Sequence, residues 1–365
     1  MNKPLSLFKV LGSITIRDAI RKMDDGGLGF ICVVDVQDRI VGVVSNGDFR
    51  RSVLKEVGLN RPISAIMNTQ YRFLKVGFTQ TEALDIVSNT EAQHIPVLDN
   101  KKLIGLVNVE DFLPKGRKRY CKEDCIVPLV VMAGGQGTRL APFTHILPKP
   151  LMPLGDKPVI EHILSEFSSF GIRDVIISVN HKARIIKAYF EEAIEPYTVR
   201  FITEQESLGT AGALRLMKEH IQIPFFMTNC DILVKENYWE IYDFHQRERC
   251  DVTMVVAQKR YAVPYGVCHI HNDGNLDKID EKPELNLLIN TGLYVISPLV
   301  LDFIPEGQIF NMDDLIGVLQ RNGKKVGVFP VDEKAFVDIG QLDEYKAAFQ
   351  KMGSAFNVDF GQGAS

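Results

Sequence analysis

Several things are scarce in this sequence, and each scarcity excludes a class of function. No apolar run approaches the roughly 20 residues needed to cross a bilayer, and the N-terminus lacks the basic-then-apolar pattern of a secretory leader. No sign of charge dominates: 42 lysines and arginines stand against 46 aspartates and glutamates, a net charge of −4. Such a balance gives no reason to expect nucleic acid or a membrane surface as a partner. Six scattered cysteines do not make a disulfide framework. Cys121 and Cys125 lie close together in a charged stretch, but the second ligand pair of a zinc site is missing. These features together predict a cytoplasmic protein.

What is present is an ordinary globular composition, 45% hydrophobic and 24% charged. A length of 365 residues is enough for two domains or three, each with a sizeable core.

The first third of the chain repeats itself. Residues 13–20 read as a short helix, Ile31 to Asp35 as a buried strand, and Ile40 to Val44 as a second strand leading to Ser45 and Asp48. The same order recurs at 80–84, at Ile95 to Asp99, and at Leu103 to Val107 leading to Asn108 and Asp111. Both units resemble CBS domains, which occur as tandem pairs. The resemblance implies a nucleotide, an adenine nucleotide for instance, in the cleft between the units, its ribose held by a hydroxyl and an aspartate. Ser45 and Asp48 keep that pattern; the second unit offers Asn108 with Asp111. Ser and Asp are equally good helix caps, and the two roles are compatible. Tandem pairs of this kind commonly dimerise, so a homodimer or larger homo-oligomer is expected.

A basic, turn-rich stretch from Pro114 to Arg119 reads as a solvated linker. The expected division is 1–60 and 61–115 for the two repeats, 116–125 for the linker, 126–350 for a second domain and 351–365 for a tail.

The second domain opens with the stretch that organises the rest. A branched apolar run, Ile126 to Met132, reads as a strand buried on both faces. It ends at Gly134, Gly135 and Gly137, followed by Thr138 and Arg139. Closely spaced glycines permit positive φ and clear the space before backbone N–H groups for an anion. The Arg139 guanidinium adds donors suited to phosphate oxygens. A second cation, Lys149, sits in the stiff Pro148-Lys149-Pro150, and a helix is predicted from about 156–158 with Ile160, Ile163, Leu164 and Phe167 on one face. The loop is neither the dinucleotide fingerprint nor a Walker loop.

Downstream, strands at 175–179, 199–203, 225–230 and 252–257 alternate with helical patterns at 183–193, 211–219 and 238–247. That alternation predicts an α/β fold, a doubly wound, mostly parallel sheet whose ligands bind at the carboxyl ends of the strands.

The run Gly134-Gly135-Gln136-Gly137-Thr138-Arg139-Leu140, with Pro148-Lys149-Pro150-Leu151 behind it, resembles the signature of the sugar-1-phosphate nucleotidyltransferases. These enzymes join a nucleoside triphosphate to a sugar phosphate and release pyrophosphate. The resemblance implies that Arg139, Lys149, Asp231, Lys282 and Asp338 carry the chemistry, with Asp231 and Asp338 holding Mg²⁺. A lone aspartate at a strand end is more often a cap; two serving one triphosphate suit a hard cation. It also implies that Tyr265, Gly266, Glu281, Lys282, Asn290 and Thr291 line the sugar pocket. Gly134, Gly135, Gly137, Thr138, Arg139, Glu204 and Gly209 would hold the nucleotide.

The base can be argued from chemistry. Glu204 stands five residues before Gly209, where uridylyl- and thymidylyl-transferring members present glutamine. A carboxylate only accepts hydrogen bonds. Guanine offers two adjacent donors; uracil and thymine offer one donor flanked by carbonyls. GTP is therefore the expected substrate, with Gln205 or Glu206 as readers if the register shifts. The fused CBS pair resembles guanylyltransferases that make GDP-glucosamine for legionaminic acid and related surface sugars, which implies glucosamine 1-phosphate as acceptor. The alternatives are a UTP-, dTTP- or CTP-dependent transferase, or a nucleotide-sensing protein with an inert transferase domain.

Overall fold

Each repeat of the first unit starts a helix with a reciprocal cap. The computed structural model describes residues 4–54, 57–88, 94–108, 126–191, 197–271, 273–340 and 345, and the chain divides into units 1–119 and 120–365. The first repeat comprises β1 (Lys9–Leu11), α1 (Ile16–Gly26), β2 (Phe30–Val34), β3 (Ile40–Ser45) and α2 (Asn46–Leu54). The second comprises β4 (Leu74–Lys75), α3 (Gln80–Ser88), β5 (His94–Asp99) and β6 (Lys102–Asn108). Thr15 accepts the N–H of Asp18 at 3.1 Å and donates to its carboxylate. Thr79 and Glu82 repeat this exchange before α3 and add the Thr79 N–H donating to the Glu82 carboxylate at 2.7 Å, which completes a capping box there.

The two repeats build three-stranded sheets on one plan, β1-β2-β3 and β4-β5-β6. Their hairpins turn through Asp38 and through Asn100-Lys101, all at positive φ, a region that Asp and Asn tolerate better than most residues. Phe8, Phe30, Val34, Ile40 and Val43 share a core with Leu98 and Leu103 of the other repeat. The Ile40 N–H donates across to the Lys101 carbonyl at 2.8 Å.

In the second unit, β7 (Leu129–Ala133) is buried along its whole length. A short hairpin, β8 (Pro153–Leu154) and β9 (Lys157–Pro158), leads into α4 (Val159–Ser169). Then come β10 (Asp174–Val179), α5 (Ala183–Glu191), β11 (Thr198–Thr203), α6 (Gly209–Gly212), β12 (Phe225–Asn229), β13 (Ile232–Val234) and α7 (Tyr238–Arg247). The remainder is β14 (Val252–Ala262), β15 (Val267–Ile270), β16 (Leu276–Asp280), β17 (Glu284–Ile296), α8 (Met312–Arg321), β18 (Val326–Asp332) and β19 (Phe336–Asp338).

The central sheet has the order β11-β10-β7-β12-β17-β14-β18. Its pairs run parallel except at β17, which is antiparallel to both neighbours. Alternate residues of β7 feed two cores. Leu129, Val131 and Ala133 meet Ile160, Ile163, Leu164 and Phe167 of α4 on one face, so the stripe expected on that helix is the one buried. Val130 and Met132 meet Ala211, Leu214, Met217, Leu315 and Leu319 on the other. On the α4 face, Phe167 stacks on Tyr238 with ring centroids 3.9 Å apart.

The helix expected at 211–219 is an exception: after α6 the chain winds as a 3₁₀-helix, Ala213–His220. Ala211, Leu214 and Met217 are fully buried, and a spacing of three matches the 3₁₀ turn rather than the α turn.

The sheet's topology sets up the site. The carboxyl end of β7 runs into the glycine loop, that of β11 into Glu204, and that of β12 towards Asp231. Parallel strands put all three at one edge, where doubly wound sheets bind ligands.

Candidate active site

Asp231 and Asp338, distant in sequence, are brought side by side by a two-stranded ladder. β13 pairs antiparallel with β19 so that Ile232 faces Asp338, and the Ile339 N–H donates to the Asp231 carbonyl at 2.9 Å. The Gly340 N–H donates to Asp338 Oδ1 at 2.7 Å. The Lys149 ammonium donates to Asp231 Oδ2. Burial works against charge on Lys149, yet the neighbouring carboxylates, Asp231 above all, hold its pKa above the ordinary lysine value. A Cβ on Gly340 would overlap Asp231 Oδ2 and lie 2.9 Å from Asp338 Oδ1 and 3.0 Å from Lys149 Nζ. The bare Cα of Gly340 therefore faces one small space that all three side chains border.

The same lysine joins this cluster to the glycine loop. A Cβ on Gly137 (φ 69°) would lie 3.0 Å from Lys149 Cβ and 2.9 Å from Thr144 Cγ2, so the loop packs this closely only with glycine. The Thr144 hydroxyl donates to the Gly137 carbonyl at 2.9 Å, and the Lys182 ammonium donates to the Thr144 carbonyl at 2.8 Å. Lys182 itself adopts φ 54°. Gly135, Thr138 and Arg139 are exposed on this loop, and among the described residues Arg139 has no ion pair.

Glu204 is gathered against the other end of the loop. It is 5% exposed, and a Cβ on Gly134 would overlap its Oε1. Ser178 donates to Oε1 at 2.6 Å, and the Leu208 N–H to Oε2 at 3.1 Å. Gln205 and Glu206 are exposed beside it. The turn that follows is clasped by residues just before α8. The N–H groups of Ala211 and Gly212 both donate to the Phe310 carbonyl at 2.9 Å, and Phe310 N–H donates to the Leu208 carbonyl. Gly209 (φ 79°) lies so close that a Cβ would sit 2.7 Å from Asn311 Oδ1.

The residues expected around a sugar are only partly together. Gly266 abuts Glu281, whose Oε2 would lie 3.1 Å from a Cβ there, and Tyr265 is exposed beside it. Lys282 is exposed in the turn into β17 at φ 47°. Asn290 donates to the Tyr294 hydroxyl at 2.6 Å. Thr291 departs from expectation: it is 1% exposed, donates to the Val255 carbonyl at 2.8 Å and accepts from the Leu293 N–H. Its hydroxyl is used inside the sheet because β17 is a central strand.

In the first unit, Ser45 donates to Asp48 Oδ2 at 2.7 Å and its own N–H donates to the same oxygen at 2.9 Å. Arg51 donates to Oδ1. The pair thus caps α2. Asp111, the cysteines Cys121 and Cys125, the whole linker and the tail fall outside the described residues.

Chemically, the cluster offers two adjacent carboxylates and one ammonium. All the donors to a cation would be hard oxygens, a set that fits Mg²⁺ completed by phosphate oxygens and water. No group of three or more His, Cys, Asp or Glu suited to a metal occurs among the described residues. Burial pushes the neighbouring Cys230 thiol up to about 12, so it is no nucleophile at neutral pH. No helix among the described residues is long and apolar enough to cross a membrane. Sequence reasoning missed Ser178, Lys182, Phe310, Asn311 and the crowding at Gly340. Of these, Ser178 alone left a signal, a hydroxyl in an otherwise apolar strand.

Residues 129–355 match the family profile described as Nucleotidyl transferase, and residues 1–55 and 63–115 match that of the CBS domain. A mannose-1-phosphate guanyltransferase of Yarrowia lipolytica is 34% identical over 184 residues, covering 48% of this chain and 50% of that protein. One of Debaryomyces hansenii is 31% identical over 225 residues, covering 59% and 62%. The chain thus spans about half to three-fifths of the length of these curated relatives. Among solved structures, HddC from Yersinia pseudotuberculosis is 26% identical with a TM-score of 0.49, covering 62% of this chain and 99% of HddC.

Proposed function

We propose a reaction on one premise: this chain belongs to the nucleotidyl transferase family, with a CBS pair ahead of the transferase domain. The reaction is GTP plus a sugar 1-phosphate giving a GDP-sugar and pyrophosphate. The observation that carries it is the convergence of Lys149, Asp231, Asp338 and Gly340 beside Gly137, one glycine loop away from the buried Glu204. Transfer of this kind needs no protein nucleophile; positioning and charge neutralisation are enough. Asp231 and Asp338 would hold a divalent cation such as Mg²⁺, which when bound offsets charge on the α-phosphate. Lys149 keeps Asp231 oriented, Arg139 faces the triphosphate, and Lys282 with Glu281 and Tyr265 faces the sugar phosphate.

The guanylyl part is supported by Glu204, an acceptor-only side chain at the base end of the loop, and by relatives that carry the name mannose-1-phosphate guanyltransferase. For the acceptor we favour glucosamine 1-phosphate, from the likeness of the fused architecture to the GDP-glucosamine enzymes of surface-sugar synthesis; mannose 1-phosphate is the competing choice. The CBS pair is assigned a regulatory adenine nucleotide near Ser45 and Asp48, and assembly into a homodimer or larger oligomer. The test is pyrophosphate release from GTP, UTP, dTTP and CTP, each with a panel of sugar 1-phosphates that includes both hexoses. GTP with one sugar should stand out; preference for a pyrimidine triphosphate would overturn the guanylyl assignment, and no release with any pair would overturn the reaction.

A further inference from the structure

We infer that Ser178 is a positioning residue for nucleotide selection, acting through the Glu204 carboxylate. The inference rests on the transferase reading above and adds a residue that the reading did not contain.

Ser178 is the fifth residue of β10, flanked by Val175, Ile176, Ile177 and Val179, and is 0% exposed. A hydroxyl this deep must find its partner inside the protein. Its neighbours across the sheet are Met132 on β7 and Ile202 on β11, neither with a polar side chain. The partner it finds is Glu204 Oε1, at 2.6 Å.

The backbone of Glu204 is fixed by the same strand. Its N–H donates to the Val179 carbonyl at 2.9 Å, and its carbonyl accepts from Asn180 Nδ2 at 2.9 Å. The carboxylate is then bounded on three sides: Ser178 at Oε1, the Leu208 N–H at Oε2, and the Cα of Gly134, where no side chain would fit. A carboxylate has about four acceptor sites. Two are taken, and the direction of those left for a base follows from which two are taken.

The two fixed donors differ in kind. The Leu208 N–H can only donate, whereas the Ser178 hydroxyl can rotate and accept. With glutamate, Ser178 donates and the remaining acceptor sites suit a pair of donors, as guanine presents. With an amide at 204, Leu208 would claim the amide oxygen, and the NH₂ would be forced towards Ser178 and Gly134. Leu208 alone would therefore orient an amide at 204, whereas the carboxylate, whose two oxygens are alike, relies on the Ser178 hydroxyl to hold Oε1 in place. Without its hydroxyl, Oε1 loses its partner beside Gly134 and the carboxylate is held at one oxygen only.

A purely packing role would lower stability and slow every nucleotide alike. The discriminating measurement is kcat/KM for GTP and for UTP, by pyrophosphate release from the full chain at saturating sugar 1-phosphate. It compares wild type, S178A, E204Q and the double variant. S178A should lower the GTP-to-UTP ratio roughly tenfold, mainly through KM for GTP, as expected for one unsatisfied buried acceptor. In the E204Q background the same change should leave the ratio unmoved, because the two residues act as one unit. Equal losses for both nucleotides, or the same shift in ratio in both backgrounds, would overturn the inference. Should wild type prefer UTP, the guanylyl reading fails, and the coupling between residues 178 and 204 still decides the inference by itself.

Discussion

Gly340→Ala is the smallest change that should disable the cluster. The added Cβ would overlap Asp231 Oδ2 and crowd Asp338 Oδ1 at 2.9 Å and Lys149 Nζ at 3.0 Å. The glycine has no positive φ, so the effect is steric and not one of backbone conformation. For the methyl to fit, the Asp231 carboxylate must retreat by on the order of 1 Å, which parts it from Lys149. Such overpacking typically costs about 1–3 kcal/mol of stability, whereas a misplacement of about 1 Å in a catalytic group costs roughly a hundredfold in rate. The expected result is a folded protein, its melting point lowered by only a few degrees, with kcat for pyrophosphate release down about a hundredfold. Circular dichroism and steady-state rates test both halves. A G340A protein as fast as wild type would refute the assignment of this cluster as the reaction centre.

Four further outcomes are expected. Asp231→Asn or Asp338→Asn should abolish turnover while leaving the far-ultraviolet spectrum unchanged, and EDTA should do the same to wild type; activity surviving either treatment removes the metal assignment. Lys282→Ala should weaken use of the sugar phosphate more than of GTP, and Arg139→Ala the reverse; identical effects on both substrates would mean the cleft is wrongly sorted. Glu204→Gln should lose GTP efficiency by roughly ten- to a hundredfold and gain some with UTP or dTTP, as paired kcat/KM values would reveal. Finally, burial lowers the His245 pKa from 6.5 to about 4, its ring held by Thr253 and Ser297. The unfolded chain takes the proton first as pH falls, so stability is full above about pH 6.5 and declines towards pH 4, by about 2 kcal/mol between pH 7 and pH 5. Urea titrations at the two pH values, with His245→Gln as the control that flattens the difference, check it.

How much of this was legible in the sequence depends on how local each signal is. The strand-glycine loop, the stripe on α4 and the duplicated capped helices are written in adjacent residues, and they fold as their spacing implies. β17 was not legible as a strand that reverses the sheet, because its polar positions at Asn286 and Asn290 blur both periodicities. The engagement of the Thr291 hydroxyl within the sheet was hidden for a related reason: a threonine beside Asn290 looks available until the strand is known to be central. The clasp of Phe310 and Asn311 on Leu208 to Gly212 joins segments about a hundred residues apart, and nothing near either end announces it. The crowding at Gly340 is likewise invisible, since three separate elements create it. What stood out as a lone polar residue in an apolar strand, Ser178, went unremarked for want of a partner in view.

The most direct measurement follows the label. GTP carrying a labelled α-phosphate, or in a parallel reaction a labelled γ-phosphate, is mixed with the full chain, Mg²⁺ and a sugar 1-phosphate, and the products are separated. The account predicts α-label in a GDP-sugar and γ-label in pyrophosphate, with both products lost in Asp231→Asn. Release of the γ-label as inorganic phosphate, or product formation undiminished in Asp231→Asn, would contradict it.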